Sequence, residues 1–253
     1  MIEIGVSVAK VPVQVVSDYD AMSEAAARLV VEAVATQPDL VLALPTGGTP
    51  LGMFRKLVEA KQSGDLDLSR VTFFCLDEYL GAAPEDPNSL TGWLMKEFME
   101  PAGIRADQIR LVPATADDPV AAALTYEAEL STAGGLDLVV LGLGPNGHIA
   151  FNEPGSERDS RTRVLDLTQE SIDQSAAYWK PGTDVKTQAM TMGVATLLDA
   201  KRVVLIVSGA AKAEMLRRAL IDTPDRDVPA SWLQTVAGKT IVIADQPAAA
   251  LLD

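Results

Sequence analysis

The sequence predicts an α/β fold, with a doubly wound, mostly parallel sheet and helices on both of its faces. Three observations carry this reading. Short apolar runs rich in β-branched residues recur at 11–16, 40–44, 71–76, 136–143, 202–207 and 240–244. Longer segments with apolar residues at helical spacing lie between them. Clusters of Pro, Gly, Asn and Asp separate the two kinds of segment. Strands that are apolar on both faces, alternating with helices, are what a parallel sheet buried between two helical layers requires.

Taken in order, residues 11–16 form the first strand, and 21–36 follow as a helix with Leu29, Val30, Ala33 and Val34 on one stripe. Residues 40–44, Leu-Val-Leu-Ala-Leu, carry no polar side chain and lead into a second helix at 50–61. Val71 to Leu76 supply the third strand. Loop-like stretches at 81–89 and 114–119 come next, before the fourth strand at 136–143. Beyond a loop at 180–186, the fifth strand, 202–207, passes into a helix at 210–221. A loop at 222–229 precedes the last strand, 240–244. None of these loops is long or biased enough to be a linker, and no repeat at a fixed period is present. With 253 residues, one domain covering 1–253 is expected.

Composition narrows the partners. The 35 acidic residues against 21 basic ones give a formal net charge of −14, which repels nucleic acid and anionic membranes at long range. A small anionic ligand then needs local cationic or dipolar help. No apolar stretch reaches the length of a spanning helix, and the N-terminus has neither a basic leader nor a cleavage site. The single cysteine, Cys75, excludes an intrachain disulfide and sits in an apolar run, as a buried hydrophobe would. A reducing cytoplasm fits this usage.

Four predicted strands are followed at once by residues able to do chemistry, and in a doubly wound sheet such ends gather in one crevice. After Leu44 come Pro45, Thr46, Gly47, Gly48, Thr49 and Pro50. Free backbone N–H groups and the dipole of the next helix can face a phosphate there. A tight turn that binds nothing is the plainer reading, and the two flanking threonine hydroxyls favour the cradle. After Leu76 come Asp77 and Glu78, adjacent acids that should point to opposite sides and hold different jobs. One of them is a candidate base. The sole histidine, His148, lies in the turn after the fourth strand, with Asn146 two residues before it and Glu153 five residues after. That is the setting of a proton-transfer residue with a carboxylate to orient it. Finally Ser208, Gly209, Ala210, Ala211 and Lys212 open a helix, where Lys212 can add charge to a bound phosphate.

Leu-Pro-Thr-Gly-Gly-Thr-Pro, Leu-Asp-Glu-Tyr-Leu-Gly and Gly-His-Ile-Ala-Phe-Asn-Glu-Pro occur in that order. On these motifs the chain resembles the glucosamine-6-phosphate deaminase (isomerising) family, over nearly its whole length. Ser160-Arg161-Thr162, Met190-Thr191-Met192-Gly193 and Pro229-Ala230-Ser231-Trp232-Leu233-Gln234 extend the likeness. The Asp-Glu-Tyr and Asn-Glu-Pro elements separate this branch from the related 6-phosphogluconolactonases, which share the glycine turn and the histidine.

The resemblance implies a modified Rossmann-like sheet with its active site at the strand carboxyl ends. It implies conversion of glucosamine 6-phosphate and water to fructose 6-phosphate and ammonia, without metal or organic cofactor. Asp77 then matches the base at C2 and C1, and His148 the acid/base that opens the pyranose ring. Glu153 and Asn146 match the group that assists that histidine. Thr46, Gly47, Gly48, Thr49 and Lys212 match the phosphate-binding positions.

Three departures qualify the transfer. Asn146 stands where many relatives carry an aspartate, and an amide orients an imidazole but does not stabilise its cation by charge. Ala177 falls where relatives place an arginine on the phosphate, with Lys180 or Lys186 the nearest substitutes. Leu165 replaces a lysine of the allosteric pocket in longer relatives, and the chain ends at Asp253 without their extension, so allosteric activation is not expected. A lactonase, a galactosamine 6-phosphate deaminase and a non-enzymatic sugar-phosphate sensor are the competing readings. The expected partner is a small amino-sugar phosphate rather than nucleic acid or membrane, and the choice between monomer and homo-oligomer stays open.

Overall fold

The computed structural model describes residues 9–178 and 186–252, with the backbone alone described at 174–178. Its main sheet has seven strands, all parallel. In chain order they are β1 (Val13–Val16), β2 (Val41–Leu44), β3 (Thr72–Cys75), β5 (Ile109–Arg110), β6 (Leu138–Gly142), β9 (Arg202–Val207) and β10 (Thr240–Asp245). In space the order is β1-β10-β9-β6-β2-β3-β5. The central strands β2, β6 and β9 are almost entirely buried, which is why their sequences show no polar alternation.

The order of strands sets the position of the crevice. From β2 the chain steps outward to β3 and β5, whereas from β6 it steps the other way, to β9 and β10. β2 and β6 are neighbours in register, Leu42 beside Leu138. The loops that leave them therefore part in opposite directions and open a gap at the carboxyl edge.

Helices α1 (Tyr19–Thr36) and α2 (Leu51–Ser63) pack against one another. The Asp18 carboxylate caps α1 by accepting from the Ala21 amide at 2.9 Å, and α2 ends at Gly64 with φ 87°. α4 (Pro119–Thr132) starts the same way as α1, on Asp118, with proline in its first turn. The predicted helix at 210–221 begins instead as a 3₁₀ turn, Ala210–Lys212, and becomes α-helical as α7 (Ala213–Ile221).

A second sheet, absent from the sequence reading, stands beside the main one. It consists of β4 (Asp77–Tyr79), β8 (Gln188–Thr191) and β7 (Arg163–Asp166), antiparallel, in the order β4-β8-β7. Only Leu76 separates β3 from β4, so the chain leaves the parallel sheet and joins the small one within a single residue. A satellite apolar cluster that includes Tyr79, Leu90, Phe151, Leu167 and Ala189 packs on it, apart from the main core. Short helices α3 (Leu90–Leu94), α5 (Gln169–Tyr178), α6 (Val194–Asp199) and α8 (Gln246–Ala249), a π-helical turn at Met95–Met99 and 3₁₀ segments at Ala106–Gln108 and Pro229–Lys239 complete the elements of the described residues. No helix among the described residues is long and apolar enough to cross a membrane.

Candidate active site

A cavity of about 260 Å³ opens at the carboxyl ends of β2, β3, β6 and β9, where the four predicted segments meet. Thr46, Gly47, Gly48, Thr49, Asp77, His148 and Lys212 all line it. Glu153 and Asn146 lie behind His148 rather than on the cavity wall.

Residues 45–50 turn from β2 into α2, with Gly47 at φ 100°, a conformation that favours glycine. No acceptor among the described residues takes the amide N–H groups of Thr46, Gly47, Gly48 or Thr49. The turn is pinned from behind by Tyr19, whose hydroxyl donates to the Gly48 carbonyl at 3.2 Å and accepts from the Gly52 amide at 2.8 Å. Open amides at the start of a 13-residue helix form an anion-binding surface. Lys212 faces the same cavity without an ion pair within 4 Å among the described residues. Burial lowers its pKa from the ordinary lysine value, and the charge of Glu170 works in the opposite direction.

The Lys212 turn is held by a residue that the sequence reading did not single out. Asp245, at the end of β10, accepts from the Ser208 hydroxyl, from the Gly209 amide at 3.0 Å and from the Ala248 amide at 2.8 Å. Its signal was available as an N-cap, since Asp245 precedes a helix with proline in its first turn.

Asp77 and Glu78 divide as alternation along a strand requires. The Glu78 carboxylate turns away from the cavity to the start of α3. There it accepts from the Ser89 hydroxyl at 2.6 Å, the Thr91 amide at 2.9 Å, the Leu90 amide at 3.0 Å and the Tyr79 amide at 2.8 Å. Asp77 is 8 % exposed, lines the cavity and receives no hydrogen bond from the described residues. Burial first, and the charge of Glu78 second, push its pKa up to about 7.

His148 sits in the loop after β6, its ring packed over Gly144, where any Cβ would overlap the imidazole. Ala150, two residues on, lies at φ 50°, the one non-glycine residue with positive φ among those described. A left-handed alanine is strain that the surrounding contacts must hold. The small sheet holds it: Phe151 N–H donates to Thr191 Oγ1 at 3.1 Å, and Asn152 Nδ2 donates to the Met192 carbonyl at 2.8 Å. Asn152 Oδ1 in turn accepts from Arg163 at 2.9 Å.

Behind the imidazole, Glu153 Oε2 lies 3.7 Å from His148 Nδ1. Asn146 Nδ2 donates to the same oxygen at 2.8 Å, while Asn146 Oδ1 accepts from the backbone N–H of His148 at 3.2 Å. The asparagine thus ties the histidine's backbone to the glutamate instead of touching the ring. Thr168 adds its hydroxyl at 3.2 Å and its amide at 3.4 Å. Burial alone would raise the Glu153 pKa, but hydrogen bonds from His148, Ser171 and Asn146 and the charge of His148 outweigh it, down to about 2. Thr168 and Ser171 reach this loop only through the start of α5 and lie in none of the quoted motifs, whereas Thr191 lies in Met190-Thr191-Met192-Gly193 but had no role assigned.

Lys180 lies outside the described residues, as does the side chain of Ala177. Lys186 is half-buried and is not among the residues lining the cavity. Leu165 lies on β7 and packs on the satellite cluster. No group of three or more His, Cys, Asp or Glu among the described residues is arranged to hold a metal ion.

Residues 17–242 match the family of glucosamine-6-phosphate isomerases and 6-phosphogluconolactonase. A glucosamine-6-phosphate deaminase of Rhodopirellula baltica is 42% identical over 243 residues, covering 96% of each chain. One from Halothermothrix orenii is 39% identical, over 93% of this chain and 97% of its own. Among solved structures, a monomeric glucosamine-6-phosphate deaminase superposes with a TM-score of 0.91 at 36% identity, covering 94% of this chain and 99% of that one. The 6-phosphogluconolactonase of Trypanosoma cruzi shares the fold, with a TM-score of 0.75 at 22% identity over 95% and 96% of the two chains.

Proposed function

This chain belongs to the glucosamine-6-phosphate isomerase and 6-phosphogluconolactonase family, and we propose that its Asp77 and His148 carry the conversion of glucosamine 6-phosphate and water to fructose 6-phosphate and ammonia. The observation that carries this is Asp77: a buried carboxylate with no hydrogen-bond donor on it among the described residues, whose pKa of about 7 suits a base working near neutral pH.

The phosphate rests on the amides and hydroxyls of Thr46 to Thr49, with Lys212 supplying the charge. The pyranose then lies across the cavity between Asp77 and His148. His148 moves a proton between the ring oxygen and the C1 hydroxyl, which opens the ring to the aldehyde. Glu153, ionised behind it, stabilises the imidazolium and is itself oriented by Asn146. Asp77 takes the proton from C2, the electron pair shifts so that C1 becomes an enol carbon, and O1 takes a proton from the substrate's own ammonium group at C2. The same carboxyl returns the proton to C1, leaving an imine at C2. Water adds to that carbon and ammonia leaves, giving the ketone. Each proton removed by a residue is returned by it, so neither group is consumed.

Asp77 also separates this reading from lactone hydrolysis, which has no carbon-bound proton to abstract. A buried lone thiol at Cys75 supports a cytoplasmic setting. The test is a coupled ammonia assay over hexosamine 6-phosphates, with 6-phosphogluconolactone as the control. Ammonia from the glucosamine compound is expected. Lactone hydrolysis without ammonia would replace the reading, and faster turnover of the galactosamine epimer would reassign the preferred substrate.

A further inference from the structure

Tyr19 does not line the cavity, yet its hydroxyl grips the turn that does, at two points. It donates to the Gly48 carbonyl at 3.2 Å and accepts from the Gly52 amide at 2.8 Å, one proton given and one received. Tyr19 is the first residue of α1 and follows the Asp18 cap directly, so the ring leaves a fixed helix start rather than a loop. Gly52, the second residue of α2, lets that helix start come close. A Cβ at Gly52 would overlap Ser23 Oγ on α1 and lie 3.1 Å from Tyr19 Cε1. Glycine is a weak helix former, and this close approach is the packing reason for it here.

The turn itself has little steric preference. Gly47 lies at φ 100°, and a Cβ added at Gly47 or Gly48 would meet nothing within 4 Å. A peptide unit leaving such a Gly-Gly pair is free to face either way. In a planar trans peptide the C=O of Gly48 and the N–H of Thr49 point in opposite directions. With the carbonyl held on the Tyr19 side, the Thr49 N–H is turned away from α1. Thr49 lines the cavity, and no acceptor among the described residues takes its amide. The second contact occupies the Gly52 N–H, one of the first-turn donors that a helix leaves open.

We propose that Tyr19 is a positioning residue for the phosphate seat: its hydroxyl fixes the peptide between Gly48 and Thr49 so that the Thr49 N–H faces the bound phosphate. This rests on the reading of residues 46–49 as the phosphate site. Without the hydroxyl the peptide samples both orientations, and a phosphate binds only the fraction that faces it. Affinity for the phosphate falls, while the groups at Asp77 and His148 are untouched.

Tyr19→Phe keeps the ring and removes the hydroxyl. Inorganic phosphate titrated into ¹⁵N-labelled protein reads the seat by NMR without any turnover. In the unmodified protein phosphate should move the Thr49 amide proton downfield and the Gly52 amide, already bonded to Tyr19, far less. In Tyr19→Phe the dissociation constant for phosphate and the KM for glucosamine 6-phosphate should rise together by about threefold to tenfold, with the turnover number within about twofold. A folded Tyr19→Phe that binds phosphate as tightly as the unmodified protein, or one that loses turnover at unchanged KM, would overturn the proposal. A Gly52 amide that moves as far as that of Thr49 in the unmodified protein would overturn it without any variant. If phosphate moves none of the amides from Thr46 to Thr49 in the unmodified protein, the phosphate seat itself is wrong and the proposal falls with it.

Discussion

Asp77 and Glu78 are neighbours on one short strand and turn their carboxylates to opposite sides of it. Glu78 accepts four hydrogen bonds around the start of α3, and Asp77 accepts none from the described residues while facing the cavity. The same sequence step gives one acid a structural task and the other a chemical one. Removing Glu78 strips an acceptor from buried donors, each worth about 1–3 kcal/mol when left unpaired. Glu78→Ala should therefore lower stability by at least about 3 kcal/mol in denaturant titrations. Unchanged stability would mean that α3 starts without this cap.

The raised pKa of Asp77 ties stability to pH with a definite sign. Folding raises its affinity for a proton from the ordinary 3.8 to about 7. This contribution is complete below about pH 4 and is lost as pH rises toward 7, by up to about 1.4 kcal/mol per pH unit. Glu153 has the opposite sign, since its pKa falls from 4.5 to about 2; its contribution is complete above about 4.5 and is lost as pH drops toward 2. In Asp77→Asn the decline between pH 4 and 7 should disappear while the acid limb stays. Parallel stability curves for the two proteins would rule out a buried, unpartnered Asp77.

His148 opens the ring and takes no part in the proton shift between C2 and C1. His148→Gln should accordingly slow the cyclic substrate by about a hundredfold or more, the scale of one acid/base group. An open-chain analogue should be affected far less. Equal losses on the two would assign His148 to the isomerisation as well.

The phosphate site rests its charge on Lys212. Lys212→Ala should raise KM by at least about tenfold, because a charge-assisted contact is about twice as strong as a neutral one. Lys186, outside the cavity lining, should leave KM within about twofold when changed to alanine. A defect at Lys186 equal to that at Lys212 would show that the phosphate is held from a second side.

The central strands were legible because each is buried on both faces and so apolar without interruption, as Leu42 to Leu44 and Val203 to Val207 are. The four loops that end them were legible because glycine, threonine, carboxylate and imidazole have few other reasons to follow such strands directly. The antiparallel sheet was not legible. Its strands are three or four residues long, and β7 is only half-buried, so neither length nor alternation distinguishes them from loop. That sheet sets the direction of the Asp77 side chain and holds the loop from Ala150 to Glu153. Asn152 and Thr191 stood in quoted motifs, but their supporting roles, like the residues Thr168 and Ser171, were hidden for the same reason. Their partners lie 15 to 40 residues away across pairings that a linear pattern does not contain.

Proton abstraction by Asp77 is the step on which the account turns, and solvent isotope exchange at C2 of the substrate reads it directly. In deuterium oxide the unmodified protein should place deuterium at C2 of recovered glucosamine 6-phosphate. Asp77→Asn should retain the fold and bind substrate, and it should lose exchange and turnover together by at least about a hundredfold. Exchange at the normal rate in that variant would contradict the account, whatever its rate of ammonia release.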